Sequence, residues 1–468
     1  MKLLSETDAL LKTLRKSAKP EPVQAIETLI KEAQDRDLCR INALAFAAQH
    51  KLDEEDVIAA FLHAGALGIF EMSWNILCPA CGGVLDSGAT LKTVRQAEYR
   101  CVLCAEDCEP TLDEIVEVTF TISPRVRRIA AHDPETLPFV QYYRQIFWSS
   151  GVDLPDDTGL EEWIKETTLD AVELLPGEKV ELSVPLPAGY VIVFDPVLHM
   201  SQHIEVTGEP TPENQSLSFI MTRDHAPAAV LQMRPGLLRI MLENRLPVRT
   251  LPAVWFVTDK IHELVSKRRP FLTAKRLLTN QTFRDIYRTD TLDVDQKLKI
   301  TSLSFLFTDL KGSTELYERV GDLAAYDLVR AHFQILNEIV AAEKGAVVKT
   351  IGDAVMATFP TPDRAMAAAL KMREAVKDLK GDLLLKIGIH EGPCLAVSLN
   401  DRQDYFGRTV NIAARVQGLA TSRSIFATRR VVTDSEASKL LQSNGIAATP
   451  EKRSLRGIAK QVEIFEIP

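Results

Sequence analysis

Up to about residue 75 the apolar positions recur every three or four residues, the spacing of amphipathic helices. Asp8 to Ala18 and Pro22 to Asp35 each carry such a stripe. Asp53-Glu54-Glu55-Asp56 then places acid where the first turn of another helix favours it. Residues 1–75 are expected to form a helical, winged-helix-like segment. Between about 115 and 268 the period shortens. Val180, Leu182 and Val184 alternate with polar neighbours, and Tyr190 to Phe194 and Leu217 to Met221 are short apolar runs bounded by turn residues. This predicts a β-rich domain acting as a ligand sensor or scaffold. Residues 269–300 are polar, with Asn280, Thr282, Asp290 and Asp293 interrupting short helical pieces, and read as a linker. From 301 to 468 the pattern runs strand, helix, hairpin, helix, strand. Leu303, Phe305, Phe307 and Asp309 share one strand face, and Ala365 to Leu379 reads as a helix.

The stretch 76–114 follows neither period, and its cysteines replace the pattern. Of seven cysteines, Cys78, Cys81, Cys101, Cys104 and Cys108 fall here. Cys78-Pro79-Ala80-Cys81 and Cys101-Val102-Leu103-Cys104 are two knuckles, each able to bring two thiolates to one ion. The 19 residues between them suit a zinc ribbon. Four thiolates close the coordination shell, so a structural Zn²⁺ is expected, with a redox dithiol as the competing reading. Cys108 reads as a spare small core residue. His199 and His203 lack a third ligand nearby and read as structural.

Composition narrows the class. A chain of 468 residues is too long for one core, and 46% hydrophobic with 25% charged residues is globular usage. The net charge of −9 gives no global attraction to nucleic acid or anionic membrane, and the N-terminal helices lack a basic recognition face. No apolar run is long enough for a membrane span, and the first residues do not form a secretory leader, so a cytoplasmic location is expected.

Two stretches carry the chemistry. Phe307-Thr308-Asp309-Leu310-Lys311-Gly312-Ser313-Thr314 puts a carboxylate at a strand's exit, followed by a helix start whose free amides suit phosphate oxygens. Val348-Lys349-Thr350-Ile351-Gly352-Asp353-Ala354 is a hairpin with Gly352-Asp353 as its two-residue turn, exposing Asp353 at the tip. Two such aspartates on neighbouring strands can hold divalent metal against a polyphosphate. Downstream, Asp404-Tyr405-Phe406-Gly407-Arg408 precedes Asn411 and Arg415, which are four apart and so share a helix face. A guanidinium there can grip phosphate.

Together these motifs resemble the class III adenylate/guanylate cyclase catalytic domain over Leu303 to Pro468. The resemblance implies a multidomain α+β chain ending in a ferredoxin-like α/β palm, with 269–300 as a transducer linker. It further implies that Asp309 and Asp353, with the Leu310 carbonyl, bind two Mg²⁺ or Mn²⁺ ions per site. Gly312, Ser313 and Thr314 border the phosphates, and Arg456 contacts phosphate. Lys349 and Asp404 read the purine, Asn411 orients the ribose, and Arg415 stabilises the transition state. Residue types alone leave ATP and GTP open, because both purines offer a donor and an acceptor. The Lys/Asp pair resembles that of ATP cyclases, implying cyclic AMP and pyrophosphate as products. The family also implies a head-to-tail homodimer with shared sites. The proton acceptor stays open among Asp309, water and substrate phosphate. The alternatives are a nucleotide-binding pseudo-cyclase sensor and a guanylate cyclase. The effector of the N-terminal region cannot be read, and His390 reads as a core or interface histidine.

Overall fold

Four helices open the chain: α1 (Lys2–Ser17), α2 (Pro20–Glu32), α3 (Ala43–His50) and α4 (Glu54–Ala66). Pro20 starts α2, where its missing N–H costs nothing. Asp53 caps α4 by accepting from the amides of Glu55 and Asp56. The computed structural model describes residues 2–223, 229–287, 292, 296–311, 318–377, 384–399, 402–420, 424–458 and 460–468. The chain divides into two compact units. The N-terminal unit comprises 1–89, 96–110 and 115–272, and the C-terminal unit comprises 90–95, 111–114 and 273–468.

In the N-terminal unit, β1 (Phe70–Leu77) lies between β2 (Val84–Gly88) and β5 (Val116–Ile122), while β3 (Tyr99–Cys101) and β4 (Glu106–Cys108) form a small hairpin. Beyond a short helix, α5 (Phe139–Tyr142), and α6 (Asp157–Thr167), the alternating sequence becomes sheet. Its strands are β6 (Thr168–Ala171), β7 (Lys179–Leu186), β8 (Gly189–Asp195), β9 (Met200–Val206), β10 (Gln215–Met221), β11 (Leu231–Met233), β12 (Gly236–Asn244) and β13 (Ala253–Val257). They make two sheets, β10-β12-β7 and β11-β9-β8-β13-β6. Val184, Val191, Ile204, Phe219, Ile240 and Val254 fill one core between them. The helix α7 (Asp259–Ser266) follows β13. The β-rich reading therefore holds for the strands but missed the helices around them.

The C-terminal unit begins with α8 (Ala274–Leu278) and α9 (Gln281–Ile286). Asn280, read as an interruption, is the N-cap of α9 and accepts from Phe283 N at 3.0 Å. Asp290 and Asp293 lie outside the described residues. There follow β14 (Leu298–Lys311), α10 (Asp322–Ala342), β15 (Ala346–Ile351), β16 (Ala354–Phe359), α11 (Pro362–Lys377), β17 (Leu384–Leu399), β18 (Arg402–Phe406), α12 (Arg408–Gly418), β19 (Ile425–Thr428), β20 (Thr449–Arg453) and β21 (Val462–Ile467). The main sheet runs β15-β16-β14-β17-β19-β21-β20, with β18 branching from β17. The first four strands, joined through α10 and α11, are the predicted ferredoxin-like palm. The contacts β14–β16, β15–β16 and β14–β17 are all antiparallel. Leu306, Leu336, Met366, Met372 and Ile389 bury the helices against this sheet. A register shift between Ile300 and Leu303 is held by Asp113, which accepts from the amides of Thr301 and Ser302. No described helix is long and apolar enough to cross a membrane.

Candidate active site and metal centre

The strand register decides which predicted residues can meet. Thr308 on β14 stands opposite Val355 on β16, and the β15–β16 hairpin closes at Ile351 and Ala354. Asp309, at the exit of β14, and Asp353, in the turn, are thus brought to the same end of neighbouring strands. Gly352 takes φ +63°, which the first position of this turn demands, with open space where a side chain would lie. Thr308 Oγ1 accepts from Val355 N at 3.2 Å and pins the two strands beside the aspartates. Asp353 Oδ2 is buried and has no hydrogen-bond partner. A buried carboxylate oxygen without a donor is costly unless a cation completes it, so the donor set fits a metal ion. Asp309 Oδ2 lies 3.6 Å from Lys386 Nζ, its register partner on β17. Leu310 is buried, so its carbonyl, rather than its side chain, is the group with ligand chemistry. Gly312, Ser313 and Thr314 lie outside the described residues.

Sequence reasoning missed Lys386 and His332. Lys386 sits two residues into β17, and only the β14–β17 register reveals its target. His332, on α10, is fully buried with neither ring nitrogen hydrogen-bonded. Burial pushes its pKa down to about 4, against an opposing pull from the Asp353 carboxylate. Because the folded value lies below the ordinary histidine value, the stability this neutral imidazole contributes is complete above about pH 6.5. It is lost as pH falls towards 4. Charging His332 in the fold should cost about 3 kcal/mol. Denaturant unfolding of wild type and His332→Leu across pH 7 to 4 should therefore show the variant losing less stability. Parallel curves would remove His332 from the account.

Lys349 and Asp404, the two residues expected to read the purine, meet in the fold. Lys349 Nζ, from β15, donates to Asp404 Oδ2 on β18, while Asp404 Oδ1 accepts from Tyr405 N at 2.8 Å. Asp404 is nearly buried and Lys349 half exposed, which leaves one polar edge open. The linker helix α9 holds both strands from behind: Arg284 donates to the carbonyls of Gln403 (2.9 Å) and Val348 (3.5 Å), and Gln281 Oε1 accepts from Val347 N. Arg284 is a further residue that the sequence did not point to.

Asn411 and Arg415 line a separate cavity of about 590 Å³ at the start of α12, with Arg408, Gly457 and Lys460. Gly457 has φ +71°, and a Cβ there would stand 3.4 Å from the Arg415 guanidinium. Arg456 is exposed and Lys460, not Arg456, lines this cavity. His390 donates to or accepts from Thr428 Oγ1 at 2.7 Å, and burial holds its pKa at about 4, in keeping with a core histidine.

In the N-terminal unit Cys78, Cys81, Cys101 and Cys104 place their sulfurs within 4.8 Å of one another. Cys78–Cys104 and Cys81–Cys101 are each 3.8 Å apart. Four sulfurs at about 2.3 Å from one tetrahedral centre stand about 3.8 Å from each other, so the spacing fits zinc. It is far beyond the roughly 2.05 Å of a disulfide. Arg268 leans on the knuckle through the Ala80 carbonyl, 2.7 Å away, and fills the space beside Gly82, whose φ is +72°. Cys108 stays outside the cluster, and burial raises its thiol to about 11. His203 spends both ring nitrogens, on the Tyr190 hydroxyl and the Val102 carbonyl, so it makes no metal pair with His199.

This palm carries the two aspartates, the Lys349–Asp404 pair and the Arg415 helix, and it is a class III nucleotide cyclase catalytic domain. Residues 296–464 match the family described as "Adenylate and Guanylate cyclase catalytic domain". The chain belongs to the family described as "Family of unknown function (DUF5939)", which matches residues 4–285. Among curated relatives, the adenylate cyclase of Mycosarcoma maydis is 30% identical over 31% of this chain and 7% of its own length. Adenylate cyclase 2 of Rhizobium meliloti is 33% identical over 25% of this chain and 36% of its own. The chain thus spans well under half of either relative. Of solved structures, the adenylyl cyclase CyaB from P. aeruginosa matches 37% of this chain and 96% of that one, at 21% identity and a TM-score of 0.33.

Proposed function

We propose that the protein is an adenylate cyclase, forming 3′,5′-cyclic AMP and pyrophosphate from ATP, with the N-terminal unit regulating the reaction. The observation that carries this reading is the Lys349–Asp404 pair, whose donor and acceptor stand side by side on one partly open edge. Adenine offers its amino group to Asp404 and its ring N1 to Lys349. Asp309 and Asp353, with the Leu310 carbonyl, would hold two Mg²⁺ or Mn²⁺ ions. When bound, such ions neutralise phosphate charge and make the ribose 3′-hydroxyl more acidic. Lys386, 3.6 Å from Asp309 in this structure, would be freed to pair with a phosphate oxygen once a cation held that carboxylate. Asn411 orients the ribose. Arg415 meets the charge that builds on the α-phosphate as the 3′-oxygen bonds to phosphorus and the bridging bond to pyrophosphate breaks.

Neither Asp309 nor Asp353 lines the cavity of Asn411 and Arg415, which supports a homodimer with shared sites. Leu323, Tyr326, Ile351 and Phe406 are large apolar side chains left exposed on this unit, and a second copy would cover apolar groups of this kind. A second reading, a nucleotide sensor without turnover, is favoured by one contact: Lys386 already neutralises Asp309. Product analysis separates them. Cyclic AMP from Mn-ATP supports the enzyme, and tight ATP binding with no product overturns it. For selectivity, Lys349→Glu combined with Asp404→Cys should move the ATP-to-GTP ratio of kcat/KM at least tenfold towards GTP, about 1.4 kcal/mol. An unchanged ratio would refute the base-reading roles.

A further inference from the structure

Three of the chain's four tryptophans, Trp148, Trp163 and Trp255, meet around one cavity in the N-terminal unit, although 106 residues of sequence lie between the first and the last. The cavity measures about 350 Å³ and includes Tyr143 and Tyr190 in its walls. Ring centroids lie 5.7 Å apart for Trp148–Trp163 and for Trp163–Trp255, and 5.4 Å for Tyr143–Trp255. The rings are tilted or edge-on to each other, so they close on themselves and still leave a space between them. Interiors pack to crystal density, and an empty space of this size forfeits contacts on every wall. The volume falls in the range of small-molecule sites.

The wall chemistry sets the kind of guest. Neither lysine nor arginine lines the cavity, whereas Glu106 does, and indole faces present negative charge density. His203 is tied up by Tyr190 and Val102, and His262 stands exposed at the mouth. The sulfurs of Cys81 and Cys104, members of the four-cysteine cluster, close one end and add no positive charge. No lysine or arginine in the walls would offset the charge of a buried anion. The Trp148 and Trp255 indole N–H groups and the Tyr143 hydroxyl are buried without hydrogen-bond partners, the Trp255 N–H approaching the hydroxyl without making the bond. Phenylalanine or leucine would fill the same walls without that cost, so packing alone does not account for these residue types.

We propose that this aromatic cavity binds a small, ring-bearing apolar molecule that carries no negative charge, and that it is the effector site of the N-terminal unit. The helix α7 forms one wall through Ile261, His262 and Val265, and the Trp163 indole N–H holds it by donating to the Lys260 carbonyl at 3.1 Å. A few residues after α7 ends, the chain enters the C-terminal unit at Thr273. A guest that presses on α7 therefore acts on the segment that leads to the linker helices.

The test uses the full-length protein and two fluorophores with one ring skeleton: uncharged N-phenyl-1-naphthylamine and its sulfonated relative, 8-anilinonaphthalene-1-sulfonate. The uncharged probe should bind saturably, one per chain, with energy transfer from tryptophan, and the sulfonate at least tenfold more weakly. Val257→Trp, which fills the cavity from β13, should abolish binding. Trp163→Ala, at a half-buried wall position, should weaken it about tenfold if the filled variant fails to fold. Failure of the uncharged probe to saturate, equal affinity for the sulfonate, or unchanged affinity in the folded variants would overturn the site. None of these readouts depends on cyclase turnover, so they stand apart from the test of the proposed function. As a second readout, saturating uncharged probe should change cyclic AMP formation at least twofold. An unchanged rate with bound probe would overturn the effector role.

Discussion

Asp353→Ala and Arg415→Ala should each lower cyclic AMP formation by about 10²- to 10³-fold, the usual scale for removing a preorganised charge from a reaction centre. An equal mixture of the two inactive proteins should then recover about a quarter of wild-type activity. Random assortment makes about half the dimers mixed, and each mixed dimer carries one intact site beside one doubly damaged site. The structural basis is separation within the chain: Asp353 lies in the β15–β16 turn, whereas Arg415 lines the α12 cavity, whose walls include neither aspartate. Titration of Mn²⁺ adds a second readout, since Asp353→Ala should raise the metal requirement while Arg415→Ala leaves it unchanged. Full activity in Asp353→Ala would end the metal-binding role. Mixed samples that exchange subunits yet stay inactive would end the shared site.

Features whose partners are close in sequence were legible, and those created by strand register were not. The two cysteine knuckles were readable because each is a local loop, with one 19-residue gap to bridge. The Gly352-Asp353 turn was readable because two residues and a positive φ make a hairpin. Lys386 and Arg284 were not. Each acts on a strand distant in sequence, and nothing in Leu385-Lys386-Ile387 says which strand will lie alongside. The helix α6 could have been found: Asp156 accepts from Gly159 N, and Leu160 and Ile164 are buried four apart. It was lost in a stretch whose overall period reads as strand. The aromatic cavity lies beyond local reading altogether, because residues on α6, β8 and β13 and after α5 build it only once two sheets and their helices have packed.

Cys101→Ser should release the metal and unravel part of the N-terminal unit. Wild-type protein should carry zinc near one equivalent, and the variant close to none. Structural zinc in small sites contributes on the order of 10 kcal/mol of binding energy that doubles as folding energy. The hairpin of β3 and β4 has three residues per strand and cannot stand alone in water. Without the ion, three thiols remain within 4.8 Å of one another with nothing to share. Loss of a few kcal/mol from a unit of this size should lower its melting midpoint by roughly 5–10 °C. Cys108→Ser supplies the control, being the same substitution at a buried cysteine outside the cluster. It should keep its zinc and melt within a few degrees of wild type. Zinc-free wild-type protein, or two serine variants that melt alike and hold equal metal, would overturn the four-thiolate centre and return the knuckles to plain core.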